Sequence, residues 1–171
     1  MAYTTPPTVS TGDTWTAAQH NTYLRDNFEY AVKTFHGVLV RCTTTPATAP
    51  TAVPWDTEVY DTDAFHDGGA NTRLTVPAGL GGYYMVYAQV RWTSDAVAVR
   101  NIILRQGGAT TVANDSIDVA GGGYSENISP IVLNLAAGNY LEVVADSGGA
   151  TTLAGGVTGA NYFGMYLLKL A

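Results

Sequence analysis

With 171 residues the chain can bury one good core, and nothing in its composition divides it into two folded halves. Only 13% of the residues are charged and the net charge is −6, so the clustered Lys and Arg that hold phosphate backbones are missing, which argues against a nucleic-acid partner. The single cysteine, Cys42, excludes an intrachain disulfide and a cysteine-based zinc site, and no apolar run approaches the length of a membrane span.

Residues 1 to 13 are rich in Thr and Pro, with too little apolar content to fold alone, and read as an extended arm. The start carries no basic segment followed by an apolar one, so no secretion signal is expected. Thr16 then offers a helix N-cap, and Gln19 completes a Thr-x-x-Gln capping box. Leu24, Phe28, Ala31 and Phe35 follow at spacings of four, three and four. That pattern predicts an amphipathic helix over 17–35 with one apolar stripe. Arg25 and Glu29 can pair on its outside, and Gly37 is expected to end it, with Lys33 and His36 in the last turn.

Beyond residue 37 the period becomes that of strands. "GVLVRC" is a short β-branched run in which Cys42 is expected to be a buried, inert thiol. "TTTPATAPTAVP" is a proline-punctuated loop. "WDTEVYDTDAF" offers an edge strand, and residues 72–76 another. The clearest strand is "GYYMVYAQVRW", where Tyr84, Val86, Ala88, Val90 and Trp92 alternate onto one face. Its other face, Tyr83, Met85, Tyr87, Gln89 and Arg91, is too apolar at one end to be simply solvated. "VRNIILRQ", "TTVANDSIDVA", "ENISPIVLNL", "GNYLEVVADS" and "ANYFGMYLLKL" follow, separated by glycine turns. Asn114-Asp115-Ser116 matches a glycosylation acceptor and is expected to be a turn. Many short strands at regular spacing predict a mainly β sandwich or jelly roll over 37–171, behind an N-terminal arm and helix over 1–36.

Several constellations bear on chemistry. The histidines His20, His36 and His66 are far apart, and the first two cannot share a ligand on one helix face, so surface or capping roles are expected. "DTEVYDTDAFHDGG" concentrates Asp56, Glu58, Asp61, Asp63, His66 and Asp67. It lacks the spacing of an EF-hand, so Asp61, Asp63 and Asp67 are weak candidates for calcium beside the plainer reading of a solvated acidic loop. Ser125 is not in a nucleophile elbow. Glu58, Glu126 and Glu142 could serve as a glycosidase pair only if the fold brings two of them together. No catalytic residue and no cofactor is expected.

The run "GGYYMVYAQVRW", then "RNIILRQGG", "SPIVLNLAAGNYLEV" and "NYFGMYLLKL", resembles the globular head of the complement-q and tumour-necrosis-factor superfamily. Gly82 with Tyr83 and Tyr84, Arg105 to Gly108, Leu135 to Leu141 and Phe163 to Leu168 carry the likeness. Gly138-Asn139 stands for the usual Gly-Asp, and Gly164 directly follows Phe163, so the match is approximate. The resemblance implies a ten-strand, TNF-like jelly roll assembled as a homotrimer, with Tyr83, Met85 and Tyr87 supplying apolar area at the interface. The plainer alternative is that these residues face a second sheet or a covering loop.

"GDTWTAAQHNTYLRDNFEYAV" resembles the openings of small structural proteins of tailed bacteriophages, through Asn21, Arg25, Asp26 and Asn27. It implies a non-enzymatic virion protein, made in the host cytoplasm and released by lysis. Such a protein would be a capsid-decoration or tail-fibre component docked on other virion proteins through Trp15, Leu24, Phe28, Ala31 and Phe35. The competing reading is an adhesin whose exposed aromatics, Tyr60, Phe65, Trp92 and Tyr124, bind a host cell-surface glycan or protein.

Overall fold

The computed structural model describes residues 8, 12–25, 27–28, 35–45, 51–93, 98–119, 123–147, 152–156 and 160–171. The chain divides into two compact units, Met1–Phe35 and His36–Ala171.

In the first unit, Thr16 takes an extended conformation and caps α1 (Ala17–His20). Gln19 N–H donates to Thr16 Oγ1 at 3.2 Å, and Thr16 N–H donates back to Gln19 Oε1 at 2.8 Å, the reciprocal pair the sequence predicts. From Asn21 to Arg25 the coil widens into a π-helix, so side chains four apart no longer stack. Trp15 sets its edge against His20 and Tyr23, at 5.6 and 6.0 Å between ring centroids. Leu24 and Phe28, expected on the helix's apolar stripe, are exposed. Ala31, Glu29 and Lys33 lie outside the described residues.

The second unit is a sandwich of two antiparallel sheets. One sheet is ordered β3 (Thr57–Asp61), β1 (Gly37–Arg41), β10 (Tyr162–Leu170), β5 (Gly82–Arg91), β8 (Ser125–Leu135). The other is ordered β2 (Thr51–Ala52), β9 (Tyr140–Ser147), β6 (Ala98–Gln106), β7 (Thr110–Val119), and β4 (Arg73–Thr75) also pairs with β9. Gly37 does not end a helix. It opens β1, where its N–H donates to Thr62 Oγ1 at 2.9 Å and it faces Tyr166 across the ladder. Asn114-Asp115-Ser116 is likewise strand rather than turn, paired with Asn101 to Ile103 of β6.

Alternation along β5 decides where the core lies. Tyr84, Val86, Ala88 and Val90 are fully or almost fully buried, Trp92 continues their phase, and Val38, Val40, Phe163 and Met165 pack beside them from β1 and β10. The second sheet adds Ile102, Leu104, Leu141 and Val143. Tyr84 keeps its hydroxyl satisfied by donating to the Leu80 carbonyl at 2.5 Å, and burial and then the charge of Asp63 push that hydroxyl up to about 12. Asn161, also buried, joins three segments. Its Nδ2 donates to the carbonyls of Cys42 and Ala154, and its Oδ1 accepts from the Arg91 N–H. Cys42 is buried as expected, and loss of hydration raises its thiol pKa.

Candidate functional site

The outer face of the first sheet is built by the strand period. If Tyr84, Val86 and Ala88 point inward, then Tyr83, Met85 and Tyr87 must point outward, and register carries the same face across the neighbours. One row runs Tyr60, Leu39, Gly164, Tyr87, and the next runs Arg41, Tyr162, Gln89. On the other side Tyr166, Met85 and Val132 align. Five tyrosines, a leucine, a methionine and a valine thus share one surface, with Tyr83 43% and Val132 55% exposed.

Gly164 shapes this surface. The Tyr87 ring lies across its backbone so closely that a Cβ there would fall 2.6 Å from the ring's Cζ. Laid flat, Tyr87 stands 6.0 Å from Tyr162 by ring centroid. Burial, a hydrogen bond with Tyr60 and the neighbouring phenols hold its hydroxyl well above the ordinary value, so it stays protonated. Tyr166 reaches back to Met85 Sδ at 2.8 Å. Leu39, Arg41, Tyr87 and Tyr162 line a shallow cleft of about 310 Å³. The alternative that Tyr83, Met85 and Tyr87 face the second sheet is wrong, because the second sheet packs on the opposite side of β5.

Other expected residues fall elsewhere. Tyr60 joins the tyrosine face rather than a loop tip. Phe65 and Trp92 are not surface aromatics: Phe65 is 1% exposed and Trp92 is fully buried. The Asp61 carboxylate accepts from the N–H groups of Asp63, Phe65 and His66, and Ala64 takes a positive φ of 62°. The loop therefore folds inward and sets Phe65 edge-on to Tyr84 at 6.0 Å. Tyr124 is exposed. Leu24, Phe28 and Phe35 are exposed on the first unit, and Trp15 is half-buried there.

The acidic loop spends its carboxylates on separate partners. Asp61 is engaged as described, and Asp63 accepts from Thr62 and pairs with His36 Nδ1 at 2.7 Å. Asp67 caps Gly69. Burial tends to raise Asp63, but the bonds from Thr62 and His36 outweigh it and hold the carboxyl below its usual range. Among the described residues no three His, Cys, Asp or Glu side chains are placed to hold a metal. His66 is not on the surface either; its side chain is 5% exposed and its Nδ1 lies 2.8 Å from Glu58 Oε1. Glu58 and Glu126 sit on opposite edge strands of one sheet, four strand spacings or about 19 Å apart, and Glu142 is in the other sheet. A glycosidase pair needs separations of at most about 9.5 Å.

A buried ionic cluster that strand alternation alone does not identify lies at one end of the sandwich. Glu126, 2% exposed, accepts from Trp92 Nε1, while fully buried Arg100 lies over the Trp92 and Tyr124 rings at 5.8 and 5.9 Å. Burial pushes the Glu126 carboxyl up to about 7, against the pull of the Trp92 N–H and the Arg100 charge and with a further push from Asp115. The signal was present in "ENISPIVLNL", where Glu126 shares the phase of Ile128 and must point inward.

These features define a mainly β class: a TNF-like jelly roll with ten strands, an aromatic outer face and no convergent catalytic set among the described residues. Solved structures share the fold. The Eiger TNF of S. frugiperda superposes with a TM-score of 0.62 at 18% identity, over 80% of this chain and 94% of that one. Murine APRIL, crystallised at pH 5.0, superposes with a TM-score of 0.63 at 16% identity, over 79% of this chain and all of that one. No protein-family model matches the sequence, and no curated protein matches it as a relative.

Proposed function

We propose that this chain is a non-enzymatic structural protein that works as a homotrimer, closed through the outer face of the first sheet. The observation that carries the reading is the continuous surface of Tyr60, Leu39, Tyr87, Tyr162, Tyr166, Met85 and Val132. A monomer rarely leaves so much contiguous aromatic and aliphatic surface in water, and aromatic residues and methionine are enriched where subunits meet. The resemblance of "TWTAAQHNTYLRDNF" to phage virion proteins supports a finer reading. In it, the trimer decorates a tailed-phage capsid or forms part of its tail, and residues 1–35 dock it through Trp15, Leu24, Phe28 and Phe35. The exposure of Leu24 and Phe28 suits that role, since such side chains gain from a partner.

Sedimentation equilibrium of the full chain should give three times the monomer mass, and Tyr87→Glu with Val132→Glu should reduce it to one. A wild-type monomer at micromolar concentration would refute the trimer. Deletion of residues 1–35 should leave the trimer intact and abolish its retention on purified particles.

A further inference from the structure

The two sheets meet edge to edge along one side of the sandwich. β8 ends the first sheet and β7 ends the second; the strands lie side by side, yet no ladder joins them. A groove of about 260 Å³ runs into this seam between Ala113 and Asp115 of β7 and Asn127 and Ser129 of β8. A seam of this kind parts without breaking any strand pairing, so water enters there more easily than through a paired strand.

Glu126 closes one end of the seam. It lies on β8 opposite Val90 of β5, and its side chain is almost fully buried. Trp92 Nε1 donates to its Oε2 at 2.5 Å, and the Ile117 N–H of β7 hydrogen-bonds to the same carboxylate from across the seam. The Tyr124 carbonyl accepts from the Trp92 N–H at 2.7 Å, which ties the start of β8 to the end of β5. One carboxylate therefore links elements that the ladders leave apart.

The charges around it oppose each other. Among the described residues, Arg100 of β6 attracts the ionised carboxylate, and Asp115, exposed on β7, repels it. The end of β5 contributes the Trp92 indole and no charge, and the turn before β8 contributes the Tyr124 ring, which Arg100 overlies. Burial is the largest influence and raises the carboxyl to about 7. With its proton the group is neutral, and the seam closes over it without trapping a charge. Ionised, it requires hydration and is pushed away from Asp115. Moving β8 off β7 satisfies both.

We propose that Glu126 is a pH-sensitive clasp on the β7–β8 seam: with its proton it holds the two sheet edges together, and without it the seam opens to water at the Trp92 end. The inference does not depend on the trimer. Hydrogen exchange followed by NMR on the full chain, with intrinsic rates corrected for pH, tests it. The opening equilibrium read at the Ile117 amide and the Trp92 indole should rise about thirtyfold from pH 5.5 to pH 8, the ratio given by a carboxyl that titrates at about 7 when closed and at its ordinary 4.5 when open. It should not respond to urea at about 1 M, since local opening exposes little surface. Glu126→Gln should remove the rise, and Asp115→Asn, at an exposed position, should reduce it. If Glu126→Gln does not fold, Asp115→Asn decides. The proposal is overturned by exchange at these two sites that ignores pH, by an undiminished rise in either variant, or by a urea dependence equal to that of core amides such as Val86 and Val143, which would make the opening global unfolding.

Discussion

Trp92 Nε1 donates to Glu126 Oε2 at 2.5 Å, and both side chains are shut inside the end of the sandwich. The bond fixes where the carboxylate points, yet burial still makes its charged form expensive.

A pH dependence of stability follows. The folded carboxyl titrates at about 7, above its ordinary value of 4.5, so folding takes up a proton between those values. This group's contribution is complete below pH 4.5 and is lost as pH rises through 7. The melting temperature should therefore be higher near pH 5.5 than near pH 8, by a free energy of at most about 3 kcal/mol. Glu126→Gln should flatten the profile over that window. An equally steep profile in the variant would assign the effect to another group.

Gly82 sits where β10 bulges between Leu167 and Lys169. A Cβ there would lie 2.2 Å from the Lys169 carbonyl oxygen and 2.9 Å from the Leu170 Cα, both backbone atoms that cannot rotate away. Gly82→Ala should destabilise the domain by about 3 kcal/mol, read by urea denaturation. A loss below about 1 kcal/mol would mean that the bulge adjusts freely.

Gly164→Ala asks a different question, because its obstacle is the Tyr87 ring rather than backbone. The ring can swing out, so the fold should survive with a modest loss of about 1 kcal/mol. The flat aromatic surface would be broken, and the proposed trimer should dissociate at markedly lower dilution factors in sedimentation velocity. Unchanged association would separate Tyr87 from the interface.

Cys42 is 3% exposed, with its thiol pKa raised chiefly by burial. Alkylation by iodoacetamide at pH 8 should be slow in the native protein and become fast at the urea midpoint, since reaction requires opening of the fold. Rapid labelling under native conditions would place the thiol at a mobile surface instead.

Local patterns in the chain settle what a period of two can settle. The alternation of Tyr84 to Trp92 assigned the inner and outer faces of β5, and Thr16 with Gln19 announced the helix start through contacts three residues apart. Those are local effects, in which one residue's direction dictates its neighbour's. What lay beyond reach depended on register between segments far apart in sequence. Tyr60 joins Tyr87 only because β1, β10 and β5 pair with Leu39 opposite Gly164. Phe65 became core rather than contact surface because Asp61 gathers three amides and folds its loop inward. Side-chain direction is fixed locally by backbone sterics, whereas partnership across the sandwich is chosen by the burial of the whole core, and only the tertiary structure records that choice.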